Sequence, residues 1–211
     1  MSAGSVDAVV FDVGMVLIEW DPRHVYRKIF TRDDGSPDED RVDWFLGTVC
    51  TMEWNIRQDL GRSIAEANAE AFERHPDWKD EIAAYYSRFQ EMIPGPIEGT
   101  VAAMRALKAR GVKVPGLTNF GRETFAETAK RFDFLNELDG VVVSGEEGVI
   151  KPDPAIFELL AERCGLVPER TLFVDDSAKN IESAGRLGFH THHFTRGPDA
   201  LRADLVALGL L

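Results

Sequence analysis

Residues 6–21 read VDAVVFDVGMVLIEWD. The apolar run Ala8–Phe11 stops at Asp12, resumes beyond Gly14 and ends in Glu19, Trp20 and Asp21. A short continuous apolar run of this kind fits a strand buried on both faces, as in the interior of a parallel sheet. Asp12 then stands at the strand tip, and open parallel sheets bind their ligands beyond the carboxyl ends of their strands. Gly14 adds a flexible residue at the same tip.

Working outward, the rhythm resumes only at residue 95. PIEGTVAAMRALKARG places Ile97, Val101, Met104 and Leu107 on one helical face and closes at Gly111. VKVPGLTN reads as a strand, residues 122–131 as a helix and LDGVVVS as a strand. A glycine-closed helix, DPAIFELLAERCG, comes next, followed by the strand TLFVDD and the helix SAKNIESAGRLG, for which Asp176 or Ser177 is available as N-cap. FHTHHF is a last strand and residues 198–208 a last helix. Strands separated by helices predict an α/β fold, a parallel sheet of about five strands with helices on both faces.

Residues 20–93 break that rhythm with helical signals alone. Ser36 to Glu39 and Ser63 to Glu66 have the spacing of capping boxes, and Ile82, Tyr85, Tyr86, Phe89 and Met92 form an apolar stripe at helical spacing. All four Trp and all three Tyr of the chain fall between Trp20 and Tyr86. The expectation is a core domain formed by 1–19 and 94–211, with an all-helical insert, 20–93, after the first strand.

Composition narrows the function. With 24 basic and 36 acidic side chains the net charge is −12, which disfavours nucleic acid or an anionic membrane as partner. No apolar run approaches the ~20 residues of a membrane helix, and MSAGSVD lacks the basic and apolar regions of a signal peptide. Cys50 and Cys164 stand alone, as reduced thiols of a cytoplasmic protein do.

Polar residues gather at the expected strand ends: Asp12 after the first, Thr118 and Asn119 after the second, Lys151 beyond the third, Asp175 and Asp176 at the fourth. Carboxylates, a hydroxyl and an ammonium on one rim suit a divalent cation, Mg²⁺ by its preference for hard oxygen ligands, together with a phosphoryl group. Each has a plainer reading: Thr118–Asn119 as a helix cap, Lys151 as a surface lysine, Asp175–Asp176 as a solvated pair. Asn180 either steadies the site or caps locally. His190, His192 and His193 read as strand-surface residues rather than a metal cluster.

In this order the motifs resemble the haloacid dehalogenase-like (HAD) hydrolase superfamily: FDVGMVL, LTN, KPDP and FVDDSAKNIESAGRLGF. The resemblance spans nearly the whole chain and implies a Rossmann-like core, with the insert as a small helical cap. A glycine two after the first aspartate is similar to a subgroup that includes sugar-phosphate phosphatases. The implied roles are Asp12 as nucleophile, Asp12, the Gly14 carbonyl, Asp175 and Asp176 as Mg²⁺ ligands, and Thr118, Asn119 and Lys151 as phosphoryl contacts. Trp54 and Asn55, in TMEWNIRQDLGRS, are expected to touch the leaving group, with Asn180 nearby; cap core and helix surface are their plainer readings. The expected substrate is a small phosphorylated metabolite. Most phosphatases of the superfamily carry an acid at the position of Gly14; Glu19, Asp21, a cap residue or metal-bound water are the possible substitutes. A 2-haloacid dehalogenase and a catalytically weakened phospho-ligand binder are the competing readings.

Overall fold

The structure, a computed structural model, describes residues 6–211. Residues 1–5, which open the expected core segment and the MSAGSVD stretch, lie outside the described residues. The sheet has five parallel strands in the order β3-β2-β1-β4-β5: β1 (Ala8–Phe11), β2 (Gly116–Thr118), β3 (Val141–Val143), β4 (Thr171–Asp175) and β5 (His190–His193).

Side chains alternate across a strand, so each central strand feeds two cores. Val9 and Phe11 of β1, with Leu172 and Val174 of β4, point into a cluster that includes Val101, Met104 and Leu107 of α6 (Glu98–Ala109) and Leu201 and Leu205 of α11 (Gly197–Ala207). Val10 and Phe173 point the other way, onto Ile156, Phe157 and Leu160 of α9 (Pro154–Cys164) and Ala184 of α10 (Ala178–Arg186). This explains why the strands read as unbroken apolar runs.

Between β1 and α6 the chain forms α1 (Arg23–Ile29), α2 (Glu39–Thr48), α3 (Met52–Asp59), α4 (Ile64–Arg74) and α5 (Lys79–Ser87), with short 3₁₀ turns at Pro76–Trp78 and Phe89–Met92. An aromatic cluster of Tyr26, Phe30, Phe45, Trp78 and Tyr85 fills their interior. The chain enters and leaves this unit side by side: the Glu19 N–H donates to Gly95 O (3.0 Å), Asp21 N–H to Met92 O (2.9 Å) and Ile97 N–H to Leu17 O (2.8 Å). No helix among the described residues is long and apolar enough to cross a membrane.

Several local expectations shift. The capping box at Ser63 and Glu66 forms, but the one at Ser36 does not. Ser36 turns back to bond Asp34 while Asp38, directly before α2, accepts from the Arg41 N–H. The apolar stripe is split, because α5 stops at Ser87 and Phe89 and Met92 enter the core from the 3₁₀ turn. Ser177 occupies the cap position of α10 but makes no side-chain cap. The three strand histidines have protein partners: His190 meets Glu169 O, His193 meets Asp176 O, and His192, which is buried rather than on the surface, pairs with Asp204 of α11 at 2.7 Å. Cys50 and Cys164 are free and buried.

Candidate active site

Register builds the site. Phe11 pairs with Val174 in the β1–β4 ladder, so the residues that follow, Asp12 and Asp175, lie level at adjacent strand tips. The Asp12 N–H donates to Val174 O at 2.9 Å. On the other side Phe11 pairs with Gly116, which carries Thr118 to the same rim.

Lys151 arrives from the loop between β3 and α9 and is clamped by Asn119. The Asn119 side chain donates to Lys151 O (2.9 Å) and accepts from the Lys151 N–H (2.8 Å). This directs the ammonium inward, where it is 3% exposed. Its three protons meet three acceptors: Asp12 Oδ1 at 2.8 Å, Asp175 Oδ2 at 2.7 Å and Leu117 O at 3.0 Å. Burial pulls the Lys151 pKa down, but Asp12 and Asp175 outweigh it, and the net shift is upward.

Asp175 is wholly buried and saturated, since besides Lys151 it accepts from the Ser177 N–H (2.8 Å) and from Asn180 Nδ2 (2.9 and 3.1 Å). Asp176 is its open neighbour, an exposed carboxylate. One oxygen from each of Asp12, Asp175 and Asp176 lies within 4.8 Å of the others. The known contacts of Asp12, from Lys151 and the Val13 N–H, both fall on Oδ1, leaving Oδ2 without a hydrogen-bond partner among the described residues. Burial pushes the Asp12 carboxyl up to about 8, Lys151 opposing and Asp175 adding. Burial and then Asp175 push Asp176 upward as well. Three crowded carboxylates against one lysine form a pocket short of positive charge.

Above the tips lies a cavity of about 420 Å³. Asp12, Gly14, Thr118, Asn119, Lys151 and Asn180 line it from below, and Asn55 from above. Asn180 reaches the cavity with its amide engaged by Asp175. Trp54 does not line it: the indole N–H donates to Ala67 O at 3.1 Å and the ring packs on Tyr85 and Tyr86 inside the helical unit. The reason is helical phase. Met52, Asn55, Ile56 and Asp59 all line the cavity, the i, i+3, i+4, i+7 face of α3, and Trp54 falls off that face. Sequence reasoning missed Ile56, and also Met15, Phe89 and Phe120 of the cavity wall; the α3 periodicity was the available signal for Ile56. Gly14 lies outside the left-handed region, where Met15 sits instead (φ 60°), and a Cβ at position 14 would meet nothing within 4 Å.

A doubly covered parallel sheet, polar side chains at its strand tips and a helical unit over them define an α/β protein whose site lies at the carboxyl ends of its strands. The family profile of haloacid dehalogenase-like hydrolases matches residues 6–188, and the chain belongs to that family and is an enzyme. It is 28% identical to the Acyl-CoA dehydrogenase family member 10 of Mus musculus over 97% of its own length, although it spans only 19% of that protein. It is 25% identical to the Phosphorylated carbohydrates phosphatase of Thermotoga maritima, covering 96% of this chain and 94% of that one. The fold is that of a HAD family enzyme of Bacteroides thetaiotaomicron solved with magnesium and inorganic phosphate (TM-score 0.65, 23% identity, 89% and 93% coverage).

Proposed function

We propose that this chain is a Mg²⁺-dependent phosphatase acting on a small phosphorylated metabolite through an aspartyl-phosphate at Asp12. The carrying observation is the carboxylate triad within 4.8 Å, set against the buried Lys151. The residues fit a hard cation: their donors are all oxygen, and burial first, with the neighbouring Asp175 carboxylate adding, holds Asp12 and Asp176 above the usual carboxylate range. Asp12, Asp176 and the Gly14 carbonyl would hold Mg²⁺, with Asp175, already saturated, acting directly or through water. Bound there, Mg²⁺ supplies charge stabilisation for the phosphoryl oxygens.

The chain's own groups do the rest. Asp12 Oδ2 attacks phosphorus, Lys151 keeps the Asp12 carboxylate aimed, and Thr118 and the Asn119 amide hold the phosphoryl oxygens. Segments 1–19 and 94–211 serve as catalytic core and 20–93 as specificity cap. Met15, Met52, Ile56, Phe89 and Phe120 make much of the cavity wall apolar, which favours an ester with apolar surface over a bare sugar phosphate. Two buried free thiols suit a reducing compartment such as the cytoplasm. A 2-haloacid dehalogenase needs no cation and leaves the Asp12–Asp175–Asp176 crowding without a purpose.

Phosphate release from a panel of esters, assayed with Mg²⁺ and with excess chelator, tests this reading. Release with Mg²⁺, its loss in chelator, and no turnover by Asp12→Asn are expected. Full activity in chelator would refute the metal assignment.

A further inference from the structure

The site as described has a nucleophile but no acid for the leaving group, because position 14 is glycine. An alkoxide is a poor leaving group unless it is protonated as it departs. Two of the nearby carboxylates are placed elsewhere. Glu19 is exposed and outside the cavity, its N–H tied to Gly95 O. Asp21 accepts from the Arg23 N–H at 2.9 Å at the start of α1 and also lies outside the cavity.

Among the described residues that line the cavity, Asp12 and Asp59 are the two carboxylates. Asp59 ends α3, on the same face as Asn55 and Met52, and hangs from the cap over the strand tips. We propose that Asp59 is the general acid–base of this enzyme, supplied by the cap in place of the carboxylate missing at Gly14. This rests on the phosphatase reading and names the residue that completes it.

The surroundings suit a proton carrier. Burial pushes the Asp59 carboxyl up to about 7, with the Gly121 amide and the Lys151 charge pulling the other way. The other charged or titratable groups facing the cavity are Asp12, Lys179 of α10 and Tyr86 of α5. A carboxyl poised near neutral pH gives and takes a proton with little driving-force penalty. The two half-reactions then balance. As Asp12 Oδ2 bonds to phosphorus and the phosphorus–oxygen ester bond breaks, the Asp59 proton passes to the departing oxygen. Asp59, now ionised, accepts a proton from the water that attacks the aspartyl-phosphate. The Asp12–phosphorus bond breaks, phosphate leaves, and both carboxyls return to their starting states.

Placement at the junction with Gly121 also allows a purely structural role, so the test must separate the two. The full-length chain with Mg²⁺ is assayed on p-nitrophenyl phosphate, whose leaving group needs little protonation, and on hexyl phosphate, whose leaving group needs it most. Asp59→Asn keeps the shape and an acceptor for Gly121 but cannot carry the proton. The expected result is a loss of ~10²–10⁴ in kcat on hexyl phosphate and a far smaller loss on p-nitrophenyl phosphate. The decline of wild-type hexyl phosphate turnover as pH rises through about 7 should vanish in the variant. Adding Gly14→Asp to Asp59→Asn should recover hexyl phosphate turnover, since a side chain at position 14 enters open space. Equal losses on both esters, with the pH profile unchanged, overturn the assignment. A wild-type chain inert towards both esters instead overturns the phosphatase reading beneath it.

Discussion

Lys151 is the residue on which the strand-tip charges depend. Its ammonium lies within 2.8 Å of Asp12 and 2.7 Å of Asp175, with side-chain exposures of 1%, 10% and 0% respectively. Removing one partner of a buried ion pair strands the others without solvent, at a cost of roughly 3–5 kcal/mol. Lys151→Met should therefore lower unfolding free energy by about that much at pH 7.5, read from urea denaturation. A change below ~1 kcal/mol would mean that water reaches the two carboxylates and that the pair acts as a surface bridge. Asp12, Asp175 and Asp176 stand out in the sequence because each ends or follows an apolar strand, where a charge has no structural excuse, whereas Lys151 lies in the loop before α9 and is brought to them only by the fold. Trp54 and Ile56 were harder to separate. Which face of α3 turns to the cavity depends on how the cap docks, and that docking is set by contacts remote in sequence.

At the scale of elements, the loop after β2 is held by α8 (Ser144–Glu147). The Gly145 N–H donates to Phe120 O at 3.1 Å, and the Phe120 N–H donates to Ser144 Oγ at 3.0 Å. A Cβ at Gly145 would lie 2.6 Å from Arg122 N and 2.7 Å from Phe120 O, closer than atoms can pack. Both obstacles are backbone, so the loop itself must move. Gly145→Ala should cost roughly 1–3 kcal/mol, the usual range for overpacking, and should displace the Phe120–Gly121 stretch that lines the cavity. Urea denaturation measures the first effect, and a raised KM at unchanged fold reports the second. The elements themselves were readable from periodicity and glycine stops, as α6 and α9 show. The split of the α5 stripe into helix and 3₁₀ turn was not, because the apolar spacing of Phe89 and Met92 marks a buried face and not the kind of turn that carries it. The Ser36 box failed for a related reason: Asp38 was an equally good cap nearer the helix.

For the whole molecule, the carboxylate cluster should couple stability to pH and, on the proposed assignment, to Mg²⁺. The folded-state pKa of Asp12, about 8, lies above the ordinary value of 3.8. The folded state thus binds this proton more tightly than the unfolded chain, and the associated stability is complete below pH ~4 and lost as pH rises towards 8. Asp59, raised to about 7, acts in the same direction. Metal-free protein should accordingly lose Tm between pH 5 and pH 8. On the proposed metal assignment, Mg²⁺ would bind deprotonated oxygens of the native state only, so the Tm gain it brings should be larger at pH 8 than at pH 5.5. Thermal unfolding in chelator and in Mg²⁺ at both values checks this, and a pH-independent gain would place the cation away from Asp12. The sheet was legible from the alternation of strands and helices. The proton carrier on the cap was not, since only the folded cavity singles out Asp59 from Glu19 and Asp21.

The paired entry and exit of the cap, Glu19 beside Gly95 and Asp21 beside Met92, has a consequence for how such a chain is assembled. To the sheet the whole insertion is a bridged hairpin whose two ends already touch. The entropy of closing so long a loop is offset where the helical unit folds, by its own aromatic interior. The polypeptide separating β1 from β2 can therefore lengthen, shorten or be exchanged at that neck while the register that sets Asp12 level with Asp175 stays as it is. On the proposed reading, a fold wired in this way keeps its phosphoryl chemistry in one part and leaves its choice of substrate, together with its source of protons, to another that can vary independently.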